Sequence, residues 1–92
     1  MNSEKSWRLF CSHGAVLFYI ARNPGCTVDD ISGALVVTSR TAWRLVRDLR
    51  GSGLVSAHAD GRRHRYRIEE ESRLPDPALS HLKLRELMSA LA

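Results

Sequence analysis

Apolar residues recur at helical spacing in four stretches of the chain, and two shorter stretches between them have strand character. The first helical stretch predicts a helix over residues 12–22, with Ser12 as its N-cap and Asn23-Pro24-Gly25 as its stop. Its apolar positions are Val16, Leu17, Ile20 and Ala21. Residues 4–10 are expected to form an earlier turn or helix, with Trp7, Leu9 and Phe10 as apolar anchors.

A second and a third helix follow with almost no connection between them. The second begins at Thr27, where Thr27-Val28-Asp29-Asp30 resembles a capping box with Asp in place of Glu, and it ends near Leu35. Its apolar face consists of Val28, Ile31 and Leu35. Only Val36 and Val37 separate it from the third helix, which begins at Thr38 and runs to about Arg50.

The third helix has an apolar side and a basic side. At about 100° per residue, its apolar residues fall within an arc of roughly 100°. These residues are Ala42, Leu45, Val46 and Leu49. Arg40, Arg44 and Arg47 cluster near the opposite pole, and Trp43 lies on the flank between the two sides. The pattern predicts a helix that packs its apolar side on a core and exposes its arginines.

A hairpin and a last helix complete the pattern. Gly53 is expected to end the third helix as a left-handed cap, and strands over 54–59 and 64–68 flank the turn signal Asp60-Gly61. The alternation places His64 with the core residues Tyr66 and Ile68, as a partly buried histidine. An acidic and proline-containing connector leads to a helix marked by Leu84, Leu87, Met88 and Leu91.

This order of elements predicts a winged helix-turn-helix, a mainly α fold with a small β-hairpin (α+β) and a three-helix core plus wing and C-terminal helix. At 92 residues the chain is one domain by length. We divide it into residues 1–73, the winged helix-turn-helix with an N-terminal helical extension, and residues 74–92, a linker and C-terminal helix that is expected to mediate dimerisation.

The net charge of +4 is concentrated in one third of the chain. Residues 38–67 contain eight arginines and two aspartates, a net charge of +6, whereas the remaining residues carry −2. A GC-rich genome would explain why twelve of the fourteen basic residues are Arg, but it does not explain their clustering. A concentrated basic region points to a polyanion partner, most simply double-stranded DNA.

Groove geometry assigns roles to these residues. A helix-turn-helix inserts its second helix, here about 39–50, N-terminus first into the major groove, where arginine pairs with guanine. The expected contacts from this helix are Thr38, Ser39, Arg40, Thr41, Trp43, Arg44 and, on phosphate, Arg47. From the wing, about 60–65, Arg62 and Arg63 are expected to reach backbone or minor groove, and Arg65 a phosphate. Trp43 has a second interpretation, as a ring packed between helix and wing, and the arginine side has one as a solvated surface.

Residues 12–68 resemble the small bacterial winged-helix transcriptional regulators of the MarR/ArsR-like group. The resemblance rests on Thr27–Ile31, the stretch 38–44, Gly53-Leu54-Val55 and 60–66. It implies a homodimer that binds operator DNA. The apolar stripe Leu84, Leu87, Met88 and Leu91 is the expected interface, with Trp7 and Phe10 as further candidates.

One residue departs from the pattern, because Val36 stands where the turn usually has Gly, and a β-branched residue tolerates positive φ poorly. We therefore expect a turn that avoids this conformation or differs slightly.

Other functions receive less support. Two cysteines and four histidines suggest a metal sensor, but none of the four-ligand spacings of a structural site occurs, so neither metal nor cofactor is expected. The sequence contains no phosphate loop or catalytic triad, which argues against an enzyme. Without a secretory or membrane-spanning segment, the expected location is the cytoplasm, with the nucleoid. The remaining alternative is a winged helix that docks on another protein, although such a surface should be apolar rather than rich in arginine.

Overall fold

The structure is a computed structural model that describes residues 12–91, and the helices and strands of this part follow the predicted order. Its elements are α1 (Ser12–Arg22), α2 (Val28–Leu35), α3 (Ser39–Gly51), β1 (Val55–Asp60), β2 (Arg63–Ile68), a 3-10 helix (Pro77–Leu79) and α4 (Leu84–Leu91). Helices α1, α2 and α3 pack on one another, and the antiparallel hairpin β1–β2 extends from them. The expected fold class, a winged helix-turn-helix, is therefore confirmed.

Helix α2 begins with the capping box that the sequence predicts. The Thr27 side chain accepts a hydrogen bond from the Asp30 N–H at 3.2 Å, and the Asp30 carboxylate accepts one from the Thr27 N–H at 3.0 Å. These bonds satisfy two backbone groups that a helix start otherwise leaves unpaired. They lower the pKa of the Asp30 carboxyl, with the bond from the Thr27 backbone as the largest cause.

The turn between α2 and α3 departs from our expectation. Val36 adopts the left-handed conformation, with φ 55° and ψ 52°, rather than avoiding it. The Val37 N–H donates to the Ser32 carbonyl at 3.1 Å, and the Ser32 hydroxyl donates to the Val37 carbonyl at 2.6 Å. These bonds close the turn around Val36, whose side chain is 88% exposed and gains no packing in return. A left-handed residue with a Cβ costs roughly 1–2 kcal/mol, so this turn is strained.

The apolar side of α3 forms the centre of the core. Ala42, Leu45, Val46 and Leu49 are all buried, as the sequence predicts, and they pack with Val16, Leu17 and Ile20 of α1 and Ile31 of α2. After α3, Gly53 has φ 82°, and the Leu54 N–H donates to the Leu49 carbonyl at 3.1 Å. This left-handed glycine cap turns the chain into β1 and places Leu54 and Val55 in the core.

The hairpin is attached to the body at its root and exposed at its tip. Tyr66 exchanges two backbone hydrogen bonds with the segment before α2, one from the Gly25 N–H and one to the Cys26 carbonyl, both 2.9 Å. Tyr66 is buried there, and Ile68 is half-buried. His64, which we expected to be partly buried, is exposed, because the hairpin has left the body by that point. Strand alternation therefore predicts burial only near the root.

The C-terminal segment folds back on the domain. The Leu84 N–H donates to the Ser72 carbonyl at 2.7 Å, and Leu84 is fully buried in the core. Leu87 and Met88 also pack partly against the core, whereas Leu91 is 39% exposed. Leu84 thus has packing partners within its own chain, and the dimer stripe as a whole stays a prediction. The other candidates for the interface, Trp7 and Phe10, lie outside the described residues.

Candidate nucleic-acid interface

The first turn of α3 is built to present its side chains outward. The Thr38 hydroxyl oxygen accepts a hydrogen bond from the Thr41 N–H at 3.1 Å and donates one to the Thr41 hydroxyl at 3.0 Å. This N-cap satisfies one of the free N–H groups and fixes where the helix begins. Ser39 and Arg40 follow it, and both are exposed. The sequence prediction of a helix that starts here with an exposed polar first turn is confirmed.

The arginines of α3 differ in their surroundings. Arg40 and Arg44 are exposed, and neither forms an ion pair with another residue in the range 12–91. Arg47 lies 3.9 Å from the Asp48 carboxylate, and its guanidinium is 5.3 Å from the centre of the Trp43 ring. That second contact is a cation–π interaction. Arg40 and Arg44 are thus free to bind an anion or a base edge, while Arg47 is already oriented by its neighbours.

Trp43 lies at a cleft between α3, the start of α2 and the wing. Its side chain is 53% exposed. The cleft has a volume of about 290 Å³, and its lining includes Thr27, Val28, Asp29, Trp43, Arg62, Arg63, His64 and Tyr66. Both interpretations of Trp43 keep support, since the ring borders the wing and still offers half of its surface. The cleft also brings two predicted wing arginines beside α3, although they are about twenty residues away in sequence.

The three predicted wing arginines are not equivalent. Arg62 and Arg63 are exposed at the tip and form no ion pair within the described part of the chain. Gly61, with φ 65°, makes the tight turn that presents them. Arg65 instead donates from Nε to the Asp60 carboxylate at 2.7 Å and from Nη1 to the Gly25 carbonyl at 3.0 Å. The predicted phosphate ligand of the wing is thus bound within the protein.

His64 is a residue that sequence reasoning did not place at this surface. It is exposed and lines the cleft beside Arg62, Arg63 and Trp43. Alternation along β2 suggested a core position, as for Tyr66, and only the distance from the turn could have indicated otherwise. A histidine near arginines on an exposed cleft is a hydrogen-bond donor to an anion when it is protonated.

The far end of α3 is fixed to α1 by a polar contact. The His13 Nε2 atom and the Asp48 carboxylate are 2.9 Å apart. The hydrogen bond from His13 is the main reason why the pKa of the Asp48 carboxyl lies below its usual value. Asp48 therefore stays ionised through the neutral range. Asp48 thus links the end of α3 to α1, while its other carboxylate oxygen lies 3.9 Å from Arg47.

Metal and membrane features are limited in the described part of the chain. Within residues 12–91 no group of three or more His, Cys, Asp or Glu side chains is arranged to hold a metal ion. Burial raises the pKa of the Cys26 thiol to about 11, which keeps it protonated. Across the same range, no helix is long and apolar enough to cross a bilayer.

The fold and this surface define a winged helix-turn-helix protein in which α3 and the wing are basic. Residues 12–65 match the sequence model of the MarR family, which is more than half of the chain. The chain belongs to the MarR family.

Solved structures of MarR-type regulators are similar to this chain. MarR itself is 22% identical with a TM-score of 0.65, and 87% of this chain and 48% of MarR are covered. The transcriptional regulator SlyA is 23% identical with a TM-score of 0.63, covering 67% of this chain and 46% of SlyA. At these identities the likeness shows the fold alone.

MepR, a transcription regulator of a multidrug efflux pump of Staphylococcus aureus, is 27% identical with a TM-score of 0.62. That match covers 86% of this chain and 54% of MepR. MepR has also been solved in complex with DNA, and that structure is 26% identical with a TM-score of 0.58. The chain thus spans about half the length of the solved structures it matches. No curated protein sequence matches this chain significantly.

Proposed function

We propose that this chain is a sequence-specific transcriptional regulator that binds double-stranded DNA through α3 and the wing. The observation that carries the proposal is the exposed pair Arg40 and Arg44 at the start of α3, which forms no ion pair with other described residues. Arg62 and Arg63 at the wing tip form none either, and they line the cleft beside Trp43 of the same helix. Four exposed arginines without an ion-pair partner give α3 and the wing a positive potential, which attracts a polyanion such as DNA. Membership of the MarR family and the DNA complex of the similar protein MepR support the same conclusion.

The residues divide into two groups by the contact they make. Arg40 and Arg44, with Ser39 and Trp43, enter the major groove, where arginine forms bidentate contacts with guanine. The remaining residues of the interface are Thr38, Thr41, Arg47, Arg62 and Arg63. They bind the phosphate backbone, and the wing arginines can also enter a narrow minor groove. Base contacts give the preference for sequence, and phosphate contacts give most of the affinity.

A homodimer completes the proposal. Two copies related by a two-fold axis place their α3 helices about 34 Å apart, one turn of DNA, and so read a symmetric site. Leu91, with the exposed edges of Leu87 and Met88, is the part of the predicted stripe that remains available on α4. The dimer is expected to bury these edges.

Selection of bound duplexes from a random pool tests the proposal directly. The expected result is an enriched site with two-fold symmetry, bound with an affinity that falls steeply as salt rises. Arg62→Ala should lower the slope of log affinity against log salt by about one unit without changing the selected sequence. If no duplex is enriched and no salt-sensitive binding is measured, the proposal is wrong. Nuclease-resistant capture of one protein would instead support a docking module.

A further inference from the structure

We infer that Arg65 is a positioning residue that fixes the wing to the body of the domain, and that it is not a DNA ligand. The inference rests on the proposed function and assigns a role within the same surface. It concerns the direction of the wing, on which the contacts of Arg62 and Arg63 depend.

Arg65 joins three parts of the chain. Its Nε donates to the carboxylate of Asp60, the last residue of β1, at 2.7 Å. Its Nη1 donates to the Gly25 carbonyl, which belongs to the turn between α1 and α2, at 3.0 Å. Because a guanidinium is planar and rigid, two bonds from one fork fix the angle between hairpin and turn.

The hairpin has few other contacts near its tip. The backbone bonds to the body are at Tyr66, whereas residues 58–65 of the two strands are exposed. Among the described residues, Arg65 is therefore the side chain that attaches the hairpin to the body closer to the tip than Tyr66 does. A two-stranded hairpin is marginally stable by itself, so this contact matters for the order of the tip.

The same contacts reduce the value of Arg65 as a phosphate ligand. The Asp60 carboxylate neutralises the guanidinium at ion-pair distance, and a DNA phosphate would have to compete with it. Arg62 and Arg63 form no ion pair with a described residue, although the charge of Arg63 also acts on the Asp30 carboxylate. Among the three wing arginines, Arg62 and Arg63 are thus the proposed ligands and Arg65 is the anchor.

Asp60→Asn distinguishes the two roles by the sign of its effect. If Arg65 bound DNA directly, removing the carboxylate would free it and reduce repulsion, and DNA would bind more tightly. If Arg65 positions the wing, the variant loses part of the anchor, and DNA binds about two- to fivefold more weakly. Glu69→Gln is the matched control, since it removes one exposed carboxylate near the hairpin root that forms no ion pair with the described residues. We expect that control to bind no more weakly than the unmodified protein.

Arg65→Lys provides a second distinction. Lysine keeps the charge and binds phosphate as a point charge, but it cannot donate from a planar fork to Asp60 and Gly25 together. We expect Arg65→Lys to weaken DNA binding as much as Arg65→Ala. Nearly unchanged binding by Arg65→Lys, together with tighter binding by Asp60→Asn, would overturn the inference.

Hydrogen exchange of the free protein separates this inference from the proposed function. In Asp60→Asn and Arg65→Ala, amides of residues 58–65 should exchange faster, while those of α3 should keep their protection, which also shows that the variants fold. Unchanged exchange of the wing amides would contradict an anchor. If the unmodified protein binds no duplex, the proposed function fails, and the exchange measurement still decides the role of Arg65.

Discussion

Arginines have different surroundings in two regions of this molecule. On α3 and at the wing tip, Arg40, Arg44, Arg62 and Arg63 are exposed and unpaired within the described residues. Where the C-terminal segment, residues 74–92, meets the rest of the domain, Arg85 pairs with Glu71 at 3.0 Å, and Arg73 donates to the His81 carbonyl at 2.9 Å. The first set is available to a partner, and the second holds the segment on its own domain. Net charge alone does not distinguish these two uses.

The comparison separates binding from folding. Changes in the C-terminal segment should affect the free energy of unfolding and leave the proposed DNA-binding surface intact. Changes to the unpaired arginines should do the opposite. Three substitutions test this separation and a fourth tests the turn at Val36, in order of decreasing expected effect.

Leu84→Ala should have the largest effect, on folding. Leu84 is fully buried, and truncating a buried leucine costs about 2–5 kcal/mol because a cavity remains. Denaturant unfolding measures this loss. Leu79→Ala, at a residue that is 40% exposed and lies outside the proposed dimer stripe, is the control and should cost clearly less. Equal losses of stability in the two variants would show that Leu84 does not hold the C-terminal segment on the domain. The proposed structural role of that segment would then be wrong.

Arg44→Ala should affect binding and leave folding nearly unchanged. Loss of a bidentate base contact costs about 1–3 kcal/mol and relaxes the preference at one position of the site. Titration of the selected duplex and of its single-base variants measures both. Arg85→Ala removes the same charge from the C-terminal segment and should leave the base preference unchanged. If the two variants weaken binding equally, charge rather than position decides, and the two regions are not distinct.

Val36→Gly should stabilise the fold by about 0.5–1 kcal/mol. Glycine adopts φ 55° without a steric cost, although it loses more backbone entropy on folding than valine does. Thermal unfolding measures the gain. Val37→Gly is the matched control. Because Val37 packs against the core, the same change there should destabilise the protein. A lower melting temperature for Val36→Gly would show that the turn is not strained.

Acid should weaken the attachment of the C-terminal segment. The hydrogen bond from Lys83 and the charge of Arg85 lower the pKa of the Glu71 carboxyl below its usual 4.5. A lowered pKa stabilises the folded state above the unfolded value, and this contribution disappears as the pH falls through the folded pKa. Below about pH 4.5, the protection of the α4 amides against hydrogen exchange should therefore change less with pH in Glu71→Gln than in the unmodified protein. The effect is small because the pair is exposed.

Local patterns predicted most of the fold. The capping box at Thr27, the two sides of α3 and the turn at Asp60-Gly61 each depend on residues within a few positions, so the sequence contains their cause. The exposed arginines of α3 follow from helical periodicity in the same way. Membership of the MarR family, which the resemblance implied, is also confirmed. It could be predicted because the local patterns follow one another in the order that is typical of the family.

Contacts between distant segments were not predictable in this way. An apolar stripe on α4 fits either its own domain or a second copy, and the bond between Leu84 and Ser72 decides for Leu84. Alternation along β2 placed Arg65 outward, which is correct, but it contains nothing about the Gly25 carbonyl forty residues earlier. Val36 adopts a backbone conformation that β-branched residues disfavour. The short connection between the packed helices α2 and α3 requires it, and the local sequence does not show this.

The pair of backbone hydrogen bonds at Tyr66 attaches the wing to the domain at its root, and the wing projects from there. Its length beyond that support is set by the number of residues between the two strands and their root, and none of these residues contributes to the central core. Insertions or deletions near Gly61 would therefore change how far the wing reaches while the helices keep their packing. Evolution can in this way adjust the span of the interface separately from the stability of the domain.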